Sequence, residues 1–160
     1  MATNEAYMLQ RNLEESKRLD EQHHFSRALV NGNLIQPSIP QSSLRTVADV
    51  GTGTGIWLRE AAQELAATNP PTKFTGFDIS GQQFPKDKIK GVEFVLHDII
   101  QPFPRQYHGY FDLVHVRLLS YALKVQNLTT VVENIVQIIR NSESHLFFDF
   151  MHILTLATPS

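Results

Sequence analysis

The chain has no cysteine, which excludes a disulfide framework and a thiolate metal site. It has no apolar run long enough to span a bilayer. Neither sign of charge dominates: 14 Lys and Arg stand against 16 Asp and Glu, a formal net charge of −2. A basic stripe of the kind that grips nucleic acid is therefore missing, and neither nucleic acid nor membrane is an expected partner. The polar, acidic N-terminus is not a signal peptide, so the expected location is intracellular and cytoplasmic, with the nucleus also open. There is no Gly-x-Ser-x-Gly nucleophile elbow, no internal repeat and no low-complexity tract. The seven histidines show no paired ligand spacing. His23 and His24 are adjacent, and neighbouring helix positions diverge by about 100°, so no metal site is expected.

What remains is 160 residues, 42% of them hydrophobic, enough for one domain with a real core. The most informative stretch runs Val47-Ala48-Asp49-Val50-Gly51-Thr52-Gly53-Thr54-Gly55-Ile56-Trp57. Thr46 to Val50 is short, β-branched and apolar, as suits a strand covered on both faces. A helical pattern starts at Thr54 and runs through Leu58, Ala61, Ala62 and Leu65. Three alternate glycines thus sit at a strand-to-helix corner, where a missing Cβ lets a ligand approach the backbone and helix N–H groups favour an anion. A dinucleotide fingerprint places its third glycine where Ile56 stands, which counts against NAD. The next strand ends in Asp78, an acid placed to accept hydrogen bonds from ribose hydroxyls.

Residues Asn4 to about Val30 carry sparse leucines among many charges and read as a helix lying over a cleft, stopped by Asn31-Gly32-Asn33 and Pro37 to Pro40. Beyond it, strand and helix alternate. Strands are expected near 44–50, up to Asp78, over 92–97, 111–116 and 145–150, with helices up to Ala67 and over 128–140. That order implies a Rossmann-like, doubly wound α/β fold with a mainly parallel sheet. The expected organisation is an N-terminal helix or lid over 1–36, a cofactor-binding core over 44–150 and a short tail over 151–160. Trp57 and Phe77 read as core.

The segments ESKRLDEQH, DVGTGTGIW, GFDIS, VEFVLHDI, PFP and FDLVHVRLL, in that order and spacing between Tyr7 and Ile139, resemble the class I S-adenosylmethionine-dependent methyltransferases. Within these, the likeness is to the fungal secondary-metabolite enzymes described as LaeA-like. The resemblance implies the methyltransferase fold, S-adenosyl-L-methionine as cofactor and a small-molecule acceptor. It implies that Asp49, Gly51, Thr52, Gly53 and Gly55 form the cofactor turn, and that Asp78 and Ile79 flank the ribose and adenine. Asp98 and Ile99 then line the adenine side, and His115, Val116 and Arg117 lie near the methionine part. Tyr7 closes over the cofactor. His23, placed near the cleft, is the one candidate to position or deprotonate an acceptor.

After the helix that ends at Arg140, the family has a Pro-Gly-Gly turn and further pocket-forming segments, whereas this sequence reads Asn141-Ser142-Glu143-Ser144. A C-terminally truncated relative with strands 1–5 only is therefore expected, with self-association through strand 146–150 as an outlet for its apolar edge. Three functions stay open: a methyltransferase, a non-catalytic cofactor- or partner-binding remnant of one, and, more weakly, an NAD-dependent oxidoreductase.

Overall fold

The computed structural model describes residues 13–67, 70–117, 124–140 and 144–149. Five strands, β1 (Thr46–Val50), β2 (Lys73–Asp78), β3 (Val92–Leu96), β4 (Leu113–Arg117) and β5 (His145–Asp149), form one sheet in the order β3-β2-β1-β4-β5. Every pairing in it is parallel. Helices α1 (Leu13–Leu29), α2 (Ile56–Glu64) and α3 (Leu128–Ile138) accompany it. The doubly wound expectation holds, and boundaries shift by the few residues over which helix and strand ends fray: α2 begins at Ile56 rather than Thr54, and α3 ends at Ile138 rather than Arg140.

β1 shows why this architecture follows from a run of small and branched apolar residues. All five of its residues are buried, because parallel strands in the centre of a sheet are covered on both faces. With side chains alternating across the sheet, Ala48 and Val50 join Phe77, Val114 and Val116 in one core, closed by Val131, Ile135 and Ile138 of α3. Val47 joins Phe74 and Leu113 in the other, closed by Trp57, Leu58 and Ala61 of α2 together with Leu34, Ile35 and Leu44 from the segment after α1. Trp57 is 2% exposed and Phe77 fully buried, as core residues should be.

α3 buries Val131, Asn134, Ile135 and Ile138, the i, i+3, i+4, i+7 stripe of a helix packed on a sheet. α1 is different. Its buried residues are Glu15, His23 and Ser26, so its inward face is polar and its attachment depends on hydrogen bonds and ion pairs. Its end follows the expected punctuation: Asn31 and Gly32 both take positive φ, 55° and 79°, and the Gly32 N–H donates to the Arg27 carbonyl at 2.8 Å, a C-terminal cap. Among the described residues no helix is long and apolar enough to cross a membrane.

Candidate cofactor-binding site

β1 is the point where the winding of the sheet reverses, since β2 and β3 lie on one side of it and β4 and β5 on the other. In open α/β sheets the crevice for ligands forms outside the carboxyl ends of the strands at such a switch point. The segment leaving β1 there is Gly51 to Gly55. Gly51, Gly53 and Gly55 take φ of 76°, 53° and 71°, the left-handed region that side chains resist. The turn is tied back to β2, because the N–H groups of Gly51 and Thr52 both donate to the Phe77 carbonyl, at 2.9 and 3.0 Å. Gly55 is the left-handed residue from which α2 starts. A Cβ there would lie 2.7 Å from the Phe94 ring, so this position is closed to side chains by space as well as by backbone.

Asp78, 5% exposed at the end of β2, accepts the Gly53 N–H through Oδ2 at 2.9 Å and the Ser80 N–H through Oδ1 at 3.1 Å. It therefore joins the ends of β1 and β2 across the crevice. Its carboxylate is an acceptor of the kind to which ribose hydroxyls donate. Ile79 follows it, half-buried.

Asp49 turns its carboxylate inward. It is 3% exposed, accepts the Thr52 hydroxyl at 2.7 Å and holds His115 Nδ1 at 2.8 Å, so it braces the turn from beneath. His115, 1% exposed, lies flat on the Trp57 indole, with centroids 4.0 Å apart and planes 2° from parallel. The structure thus seats His115 between β1 and α2 as a packed, hydrogen-bonded ring. Val116 faces the opposite side, in the α3 core. Arg117 ends β4, and its side chain lies outside the described residues, as does Tyr7.

Asp98 is the second residue of the loop after β3, its Oδ1 accepting the Ile100 N–H at 3.1 Å. Ile99 is 8% exposed and packs into the α3-side core, while Asn134 Nδ2 grips its carbonyl at 2.9 Å and that of Gln101 at 3.1 Å. Between Asp78 and Asp98 sits His97, its backbone N–H on the Asp78 carbonyl at 2.8 Å and its ring against Phe103, centroids 4.1 Å apart. Burial holds its imidazole below the ordinary value, against the opposing pull of the Gln101 backbone and the Asp98 charge. It is neutral near pH 7 and suited to an apolar wall.

α1 lies directly over the glycine turn. The Thr54 hydroxyl donates to Asp20 at 2.6 Å, Leu19 Cδ1 stands 3.2 Å from where a Cβ on Gly53 would be, and Gln83 reaches Ser16 at 3.3 Å. His23 is turned toward α2. It is 1% exposed, with Nε2 bonded to Glu60 of α2 at 2.7 Å, and Arg27 joins Glu60 at 2.5 Å and Glu64 at 2.8 Å. The candidate acceptor-binding histidine is, in the structure, part of the fastening between α1 and α2. Asp20, Thr54 and Glu60 carry no sequence signal for these roles, since their partners lie more than thirty residues away.

His23 and His24, adjacent on α1, are joined in the fold by a third possible donor, Glu60 of α2. Donor atoms of His23, His24 and Glu60 all lie within 4.8 Å of one another, because each imidazole has two side-chain torsions with which to offset the divergence of the backbone, and the third donor comes from a different helix.

A parallel sheet wound both ways from β1, with a glycine corner and an acid at the switch point, defines a nucleotide-cofactor α/β domain of the kind used by S-adenosylmethionine-dependent methyltransferases. Residues 47–142 match the family described as "Methyltransferase domain"; this is more than half of the chain, and the chain belongs to that family. It is 37% identical over 138 residues to the methyltransferase grgD of Penicillium sp, a match covering 84% of this chain and 48% of the relative. With the N-methyltransferase sirN of Leptosphaeria maculans it shares 36% identity over 114 residues, covering 71% of this chain and 38% of that one. The chain spans about half the length, or less, of these curated relatives. The structure of human N-acetylserotonin methyltransferase in complex with SAM superposes with a TM-score of 0.56 over 81% of this chain and 37% of the other, a likeness of fold at 20% identity. The methyltransferase resemblance is borne out, and nothing in these comparisons favours an oxidoreductase.

Proposed function

We propose that this chain binds S-adenosyl-L-methionine at the Gly51 to Gly55 turn and the carboxyl ends of β1 and β2, and that it serves methyl transfer to a small-molecule acceptor of secondary metabolism. The observation that carries the reading is the Asp78 carboxylate bonded to the Gly53 N–H at 2.9 Å, which brings an acceptor for ribose hydroxyls and a side-chain-free backbone to one crevice. When bound, the cofactor would supply an electrophilic methyl group on a sulfonium sulfur to an acceptor lone pair, with the thioether as leaving group and the acceptor's proton released to solvent.

The contribution of the chain is position. Asp78 orients the ribose, Ile79 and the loop from Asp98 flank the adenine, and Asp49, through Thr52, keeps the turn in the shape that admits the amino-acid end. α1 covers the turn through Asp20 and Leu19 and excludes water from the reacting groups. Holding donor and acceptor in line contributes on the order of 7 to 11 kcal/mol to such a reaction. His23 then acts by fixing α1. The relative named as an N-methyltransferase favours nitrogen as the accepting atom.

Calorimetric titration with S-adenosylmethionine and with its demethylated product tests the reading. Asp78→Ala is expected to weaken both by about 1.5 to 3 kcal/mol, the strength of hydrogen bonds to a charged group, and Asp78→Asn, which keeps an acceptor, by less. Affinity unchanged in both variants, with the fold intact by circular dichroism, removes Asp78 from the site. Equal heat from NAD would sink the choice of cofactor.

A further inference from the structure

We propose that His23, His24 and Glu60 form a three-ligand site for a divalent transition metal of the zinc class, which ties α1 to α2. Two imidazoles and a carboxylate are a donor set that such ions take readily. The donor atoms, one from each residue, lie within 4.8 Å of one another. Ligands about 2.0 to 2.2 Å from a tetrahedral ion stand about 3.3 Å apart, so His23 and Glu60, at 2.7 Å, need to open by about 0.6 Å while no pair needs to close by more than about 1.5 Å. The two rings are already edge to face, centroids 5.6 Å apart at 63°.

Burial is graded across the cluster: His23 is buried, Glu60 half-buried and His24 exposed. That arrangement gives a fixed base to the site and an entry path from solvent, with His24 as the ligand free to swing in. His23 Nε2 and Glu60 Oε2 are 2.7 Å apart, within hydrogen-bond distance; an ion bound between them displaces the bridging proton to solvent. Arg27 holds the same Glu60 oxygen at 2.5 Å but also reaches Glu64 at 2.8 Å, so it keeps a carboxylate partner when Glu60 turns to the metal. Three protein ligands leave a fourth position for water. The ion would cross-link two helices whose contact is otherwise polar and sparse, and would hold α1 over the glycine turn.

The experiment is a titration of the intact chain with zinc chloride in competition with a chromophoric chelator, without cofactor. One equivalent should bind saturably, and zinc should raise the thermal midpoint. His24→Ala, at an exposed position that leaves the fold unchanged by circular dichroism, should weaken zinc at least tenfold and abolish the rise in midpoint. Glu60→Gln should weaken it comparably. Absence of a saturable equivalent overturns the site, and so does undiminished binding by His24→Ala, which would assign the zinc to other histidines.

Discussion

Single residues at the crevice carry two kinds of constraint, and they separate by experiment. Gly55 combines a φ of 71° with a Phe94 ring 2.7 Å from any added Cβ. The backbone term alone is about 1 to 2 kcal/mol for an L-residue in this region, and the ring must move as well. Gly55→Ala should therefore lower the urea midpoint by more than the backbone term predicts. In a Phe94→Leu background the same substitution should cost closer to that term, and an identical cost in both backgrounds would show that the ring gives way freely. At Gly53 the neighbour is Leu19 Cδ1 at 3.2 Å, the movable end of a side chain from α1, so a Cβ there would disturb the covering helix rather than the sheet. Gly76, within β2, is limited by space alone: an added Cβ would stand 2.7 Å from Leu58 Cδ1 of α2 and 2.9 Å from the Phe94 ring.

At the scale of elements, α1 is attached by charge, and its attachment should depend on pH. Burial works to raise the Glu60 carboxyl, but the hydrogen bonds and charges of His23 and Arg27 outweigh it and leave the group below its ordinary 4.5. A carboxyl held lower in the folded state adds stability that is fully present above its unfolded value and is lost as pH falls through the folded one. Thermal midpoints of the native chain and Glu60→Gln should thus differ most above about pH 5 and converge in acid. A constant difference across pH 3 to 7 would mean that the ion pair is not what the mutation removes. Because α1 also touches the glycine turn through Asp20 and Leu19, bound S-adenosylmethionine should slow hydrogen exchange across residues 13–29. Equal exchange with and without ligand would make α1 a fixed part of the scaffold.

For the molecule as a whole, stability rests on the two cores that share the sheet. Phe77 sits fully buried at the centre of one of them, with edge-on contacts to Phe103, Tyr107 and Phe111 at 5.0 to 5.9 Å. Phe77→Ala should cost about 3 to 5 kcal/mol, read as a loss in chemical denaturation. It should also loosen the cofactor site, since the Phe77 carbonyl receives the turn's two N–H donors. A loss below about 1 kcal/mol would show a core that collapses around the cavity.

The order of elements, the buried strand before a glycine corner, the acid at the end of the second strand and the core roles of Trp57 and Phe77 were all legible in the sequence. Each rests on local periodicity or on backbone conformations that only certain residues accept. The tertiary structure alone decided what the polar and charged side chains do. The adjacent histidines were set aside as unable to share an ion, yet the fold brings Glu60 from another helix to meet them. His23, the candidate expected near the cleft, is bonded to that same carboxylate. Asp49 lies in the motif as expected, but its carboxylate braces Thr52 and His115 from below. Hydrophobic burial repeats along an element and so leaves a pattern in the chain, whereas the bonds of His23 and Arg27 to Glu60, of Thr54 to Asp20 and of His115 to Asp49 join residues more than thirty positions apart and leave none.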